Sequence, residues 1–274
     1  MLERCEVLVE GLDHPEGVCV DANGTLYAGG EAGQVYRIDL EEREAVQIAN
    51  TGGFLLGMCA DARGLLRVCD VARRAALLVD PRDGTVSELS TGLPDRPMVN
   101  PNWPVFGADG ALYVTDSGRW KADDGWIWRI EPDGTTSVWT GQTSGFPNGA
   151  CLTADGRALL VLESTTPALV RVPINDDGSA GAREVIASLS GTVPDGVTLD
   201  ADGNAYVCYY RPDRIDRVSP AGTVETLVED PEGTILSAPT NGVWLDGDLI
   251  IGNLGRWHLT RIPLGVTGVP LRYP

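Results

Sequence analysis

Residues Pro147–Glu163 read PNGACLTADGRALLVLE: a loop ending in Gly, a mostly apolar run, the turn Ala-Asp-Gly, and a second apolar run. Gly and Asp accept the backbone conformations of a tight reversal, so two apolar runs around such a turn predict a β-hairpin. The phrase recurs. It appears as PEGVCVDANGTLYAGG from Pro15, LLGMCADARGLLRVCD from Leu55, PNWPVFGADGALYVTD from Pro101, PDGVTLDADGNAYVCYY from Pro194 and TNGVWLDGDLIIGN from Thr240. A repeat of this length in which each unit supplies short strands is the signature of a propeller or solenoid, and it decides the fold.

The second residue of each phrase sets a register: Glu16, Leu56, Asn102, Asn148, Asp195 and Asn241, spaced by 40, 46, 46, 47 and 46 residues. After each hairpin comes a third apolar segment, such as GQVYRIDL, DGWIWRIEP, ALVRVPI or DRIDRVSP, and in several copies a fourth, such as VSELSTGL or VETLVED. Four strands per unit of about 40–50 residues predict a β-propeller blade. Six units predict an all-β, six-bladed propeller of four-stranded blades over residues 1–274 as one domain, with helices nearly absent. The last unit runs short after HLTRIPLG, and a strand at Cys5–Glu10 precedes the first. That strand is expected to complete the last blade and close the ring, removing an open sheet edge.

In a propeller the first strand of each blade lines the central axis, so the six register residues converge at one mouth of the channel. Five of them carry side-chain oxygen, and Glu16 and Asp195 are carboxylates. Asn-Gly and Asp-Gly are ordinary turn dipeptides, but Glu has no such preference, and the variation among Glu, Asn and Asp suits a shared ligand better than a shared turn. Oxygen donors suit a hard divalent cation, above all Ca²⁺, which takes 6–8 oxygens with tolerant geometry. Zinc prefers His or Cys, and the chain has only His14 and His258. Three residues beyond the register lie Cys19, Cys59, Val105, Cys151, Thr198 and Trp244, a layer of small, semi-apolar side chains expected to pack near the axis.

The formal net charge is −18, from 21 basic and 39 acidic residues. Such a chain repels a phosphate backbone, which argues against nucleic-acid partners, and its field attracts cations. Met1–Gly11 lacks a basic start and a long apolar run, and no stretch approaches the roughly 20 apolar residues of a membrane span. These features predict a cytoplasmic protein with a small-molecule substrate and no membrane partner. The six cysteines show no C-x-x-C spacing and are expected to be free thiols.

HPEGV at His14–Val18, FPNGA followed by TADGRALLVLES over Phe146–Ser164, and PDGVTLDADGNAYV over Pro194–Val207 together resemble the SMP-30/gluconolactonase/luciferin-regenerating family of six-bladed propellers. The resemblance covers nearly the whole chain. It implies Glu16, Asn148 and Asp195 as ligands of a Ca²⁺-type cation, Asn102 at or near the metal, and hydrolysis of lactones or related esters with Asp195 as general base. The family's sugar-lactonases carry Arg-x-Asn-Asp in the third blade, whereas this chain reads Asn100-Pro101-Asn102-Trp103. With Asn100, Asn102 and Trp103 as substrate-binding residues, the expected substrate is less polar than a sugar lactone. Three other readings share the scaffold: a metal-dependent hydrolase of phosphotriesters or other esters, a synthase or cyclase like the strictosidine-synthase-type propellers, and a binding propeller without catalysis.

Overall fold

All six phrases form the expected hairpins, and the turn glycines Gly24, Gly64, Gly110, Gly156, Gly203 and Gly247 all take positive φ, the left-handed region open to Gly without steric cost. A computed structural model of the chain describes residues 1–271 and 274. Each hairpin extends into a four-stranded antiparallel sheet. In blade 1 the strands are Val18–Val20, Leu26–Gly29, Gln34–Asp39 and Glu44–Asn50. The inner strands of the next four blades are Leu55–Ala60, Pro101–Phe106, Pro147–Leu152 and Val193–Leu199. Blade 6 contributes Pro239–Leu245, Asp248–Asn253 and His258–Ile262, and its outer strand is Glu6–Glu10 from the start of the chain. The N-terminal strand therefore closes the ring, with Glu6 opposite Arg261 and Glu10 opposite His258. The helical content described is one short 3₁₀ turn, Leu2–Arg4, and among the described residues no helix is long and apolar enough to cross a membrane.

The core follows from the alternation of each strand. Second strands such as Leu112–Asp116 and Ala158–Glu163 are buried along their whole length, because a neighbouring blade covers each face. Among the described residues the apolar side chains gather into six clusters, each straddling one pair of adjacent blades. Leu66 and Leu77 of blade 2, for instance, pack with Tyr27 and Val35 of blade 1. A fully buried Leu or Val contributes about 1.5–3 kcal/mol, so the ring is held by interfaces repeated around the axis.

The two ends of the axis differ. After His258–Ile262 the chain turns back across one mouth: Val266 donates to the Gly247 carbonyl at 3.0 Å, Ala201 to Thr267 at 2.8 Å and Val269 to Leu199 at 3.0 Å. Val269–Leu271 then close a cavity of about 120 Å³ lined by inner strands of all six blades. Cys19, Cys59 and Cys151 lie in its wall as expected, and burial pushes the Cys59 and Cys151 thiols up to about 12, far from a reactive thiolate.

Trp103 also belongs to this end. The residue after the register position is Gly17, Gly57, Gly149, Gly196 or Gly242 in five blades and Trp103 in the third. A Cβ at Gly57 would collide with the Trp103 ring, so the indole occupies room that the neighbouring glycine leaves. It is 9% exposed and packs with Tyr113, Ala150 and Leu152. Trp103→Ala is accordingly expected to cost about 3 kcal/mol or more of stability, visible as a lower urea midpoint with an unchanged slope.

Candidate metal centre

The opposite end of the axis remains open, and it gathers the register residues. In blades 2 to 6 the inner strand shifts register against its neighbour at or beside the register position: between Leu55 and Met58, Pro101 and Trp103, Pro147 and Ala150, Pro194 and Val197, and Pro239 and Gly242. Such a bulge re-aims a side chain out of the pleat. Glu16 stands two residues before its strand and needs none. Glu16, Leu56, Asn102, Asn148 and Asp195 all line one cavity of about 540 Å³, together with Asn100. Asn241 is buried beside them, against Gly196.

Several polar atoms at this end lack protein partners. Asn100 Oδ1, Asn102 Oδ1, Asn148 Oδ1, Asp195 Oδ1 and both polar atoms of the Asn241 amide are buried with no hydrogen bond. An unsatisfied buried polar atom costs about 1–3 kcal/mol, so several of them at one end of the axis make it a candidate site for a ligand that satisfies them. The two carboxylates make the same point electrostatically. Burial, then the charge of Asp195, raises the proton affinity of Glu16 well above the usual carboxylate range. Burial does the same to Asp195, against a hydrogen bond from Asn148 that opposes it. Neither group is comfortable as an anion without a counter-charge. Four to six oxygens of carboxylate and amide type, with two negative charges, fit a hard divalent cation.

The backbone that carries these residues is tied across blade boundaries. Thr115 of blade 3 donates to the Asn148 carbonyl at 2.7 Å, Ser164 of blade 4 to Pro194 at 2.6 Å, and Thr240 of blade 6 to Glu16 at 3.0 Å. Ser164 also receives a hydrogen bond from the Asn148 amide at 3.3 Å. Acids at the ends of second strands hold the loops that lead into the inner strands. Asp116 accepts from the Val99 and Asn100 amides at 2.9 and 2.7 Å, which sets Asn100 at the cavity. Glu163 accepts from the Gly145 amide at 3.3 Å and is paired with Arg183. These two acids thus anchor backbone and do not themselves line the cavity.

The walls come from residues the repeat does not mark. Phe54, Val71, Trp120, Phe146, Val193 and Leu254 supply the apolar surface, with Trp120 and Phe146 edge to face at 4.9 Å. Tyr210 and Arg211 of blade 5 complete the rim. Trp103, expected here, lies outside this cavity for the packing reason given above. Outside the residues that line this cavity, Asp13, His14 and Glu31 bring three ligand-type atoms within 4.8 Å of one another. Asp13 there is already engaged by the Gln34 amide at 2.9 Å and the Ala32 backbone at 3.2 Å.

A profile described as the SMP-30/Gluconolactonase/LRE-like region matches residues 14–243, a span that includes all six register positions. The chain belongs to the SMP-30/Gluconolactonase/LRE-like family. Within known proteins it resembles Lactonase drp35 of Staphylococcus haemolyticus (strain JCSC1435), 31% identical over 121 residues that cover 40% of this chain and 36% of that protein. The matched stretch thus spans about a third of the length of this curated relative. Among solved structures, a gluconolactonase from Xanthomonas campestris superposes with a TM-score of 0.81 at 21% identity, covering 95% of this chain and 89% of that one. A regucalcin from Agrobacterium tumefaciens, described as a calcium-binding protein, gives 0.78 at 19% identity, covering 98% and 96%. At these identities the likeness establishes that the SMP-30/Gluconolactonase/LRE-like chain shares their fold.

Proposed function

We propose that the open end of the axis binds a divalent cation through Glu16, Asn148 and Asp195, and that the chain opens a lactone or related ester there. The observation that carries this reading is the set of orphaned oxygens around two buried carboxylates at the floor of a cavity. The lactonase relative and the calcium-binding neighbour point the same way. Calcium is the preferred ion because the donors are all oxygen and the amides and carboxylates come from separate blades, which suits a tolerant coordination shell.

Bound there, a divalent cation supplies Lewis acidity toward a carbonyl oxygen and stabilises the charge that develops on it. The chain's own residues do the rest. Asp195 receives the proton of the attacking water as general base, a role suited to a carboxylate whose proton affinity burial has raised. Asn102 and Asn100 present amide groups that orient the substrate's ester. The apolar walls formed by Phe54, Trp120, Phe146 and Leu254 hold the remainder of the substrate and exclude water. These walls, and not Trp103, suit a substrate less polar than a sugar lactone.

The test combines elemental analysis with a paired assay. The purified protein is expected to carry a divalent cation, to lose hydrolysis on chelation and to regain it with Ca²⁺. It should also prefer an aromatic or alkyl lactone to a sugar δ-lactone. A metal-free protein whose hydrolysis is indifferent to chelator would overturn the proposal, and a tenfold preference for the sugar lactone, about 1.4 kcal/mol, would overturn its substrate.

A further inference from the structure

We propose that Arg211 reads a carboxylate on the substrate, so that the lactone or ester opened here carries an acidic group distant from the reacting carbonyl. This inference rests on the hydrolase reading above and narrows its substrate class. Arg211 is the one cation among the described residues that line the cavity. It ends the second strand of blade 5, Ala205–Arg211, and pairs across the sheet with Val193, two residues before Asp195. Its guanidinium is thereby delivered to the rim on the same blade as the proposed base.

The guanidinium is held on one side only. Nη1 donates to the Tyr210 carbonyl at 3.0 Å and to Asp213 Oδ1 at 2.9 Å. Asp213 is fixed in turn by the Ala238 amide at 2.8 Å. The guanidinium carbon lies 5.0 Å from the centre of the Tyr210 ring, within the range of a cation–π contact. Nε and Nη2 have no hydrogen-bond partner among the described residues, and together they form the two-pronged edge that matches the two oxygens of a carboxylate. An arginine anchored through one nitrogen, with its fork free beside a cavity, is pre-organised for a planar anion. The rest of the cavity offers an anion little: its floor holds two acids, its walls are apolar, and the chain as a whole carries −18. A substrate with an apolar body and one carboxylate would use the aromatic walls and the arginine together.

Two measurements test this on the calcium-loaded protein. The first compares kcat/KM for phthalide and 5-carboxyphthalide, which share a reacting ring. Wild type is expected to favour the carboxylated lactone, and Arg211→Gln to lower that ratio about fivefold, chiefly through KM, the size of one solvent-exposed charge-assisted contact. The second titrates 3-phenylpropionate and 3-phenylpropionamide by calorimetry, which needs no turnover. The acid is expected to bind more tightly than the amide to wild type, with the difference lost in Arg211→Gln and partly kept in Arg211→Lys. A preference that survives Arg211→Gln places the carboxylate on another group, the cation included, and overturns the proposal, as does equal binding of acid and amide to wild type. If neither lactone is hydrolysed while the calorimetric preference appears and vanishes as stated, the reaction is wrong and the role of Arg211 stands.

Discussion

Asp195→Asn is expected to lower kcat/KM by about 10²–10⁴, the usual contribution of a positioned general base, in a protein that still folds. The substitution keeps the shape of a side chain that is 6% exposed. It removes a charge that burial already disfavours, so the native ring loses nothing it depends on. Two effects contribute and can be separated. Loss of a ligand weakens cation binding, which raising the Ca²⁺ concentration to saturation compensates. Loss of the base remains at any Ca²⁺ concentration. The decisive measurement is therefore kcat/KM at saturating Ca²⁺, with circular dichroism confirming the fold. Activity within a few-fold of wild type under those conditions would remove Asp195 from the reaction and leave it, at most, a ligand.

Removing the cation is expected to lower the melting temperature by about 5–10 °C. A ligand of the native state at 100 times its Kd adds about 2.7 kcal/mol, and each kcal/mol moves a chain of this size by roughly 2–4 °C. The carboxylate pair gives this prediction a sign that a nonspecific salt effect would lack. Both groups have a proton affinity raised by folding. In the metal-free protein they stabilise the native state most when protonated, and that stability is lost as pH rises from the ordinary carboxylate range through their raised values. The cation should therefore raise the melting temperature more at pH 8 than at pH 5. Glu16→Gln removes one of the two buried acids, so without metal it should melt above wild type, and it should gain less when Ca²⁺ is added. Calorimetric scans of both proteins with chelator and with Ca²⁺ decide the matter. A cation effect independent of pH, or equal in the two proteins, would show that the ion acts elsewhere.

The propeller was legible because its information is periodic. One hairpin phrase written six times announces both the strands and the axis, and the shortfall in the last blade announces the closing strand. The convergence of Glu16, Asn102, Asn148 and Asp195 on one cavity follows from that register. What periodicity cannot reach is where blades differ: Phe54, Trp120 and Phe146 enter the cavity from connections that vary in length and composition, and Arg211 from a second strand longer than its counterparts. Trp103 is a different kind of miss. Its proximity to Asn102 suggests a pocket wall, yet strand neighbours point to opposite sides. The signal was present in the alignment of the six copies, where the other five carry glycine. A position that tolerates no Cβ in most blades lies against its neighbour's backbone, and a large ring there must find its room across the blade boundary, over Gly57, and not in the open mouth.

The strand that closes the ring has a consequence for how the protein is made. Glu6–Glu10 leaves the ribosome ahead of the rest of the ring, and its partner His258–Ile262 follows about 250 residues later. At about 5–20 residues per second, the early strand waits roughly 12–50 s with its hydrogen-bonding groups unclaimed. An apolar strand left so long would invite pairing with another nascent chain. This one reads Glu-Val-Leu-Val-Glu, with an acid at each end, and in the finished ring Glu6 meets Arg261 at 2.8 Å. The same acids that keep the waiting segment apart from its own copies leave Glu6 ready to pair with Arg261 when the last strand arrives.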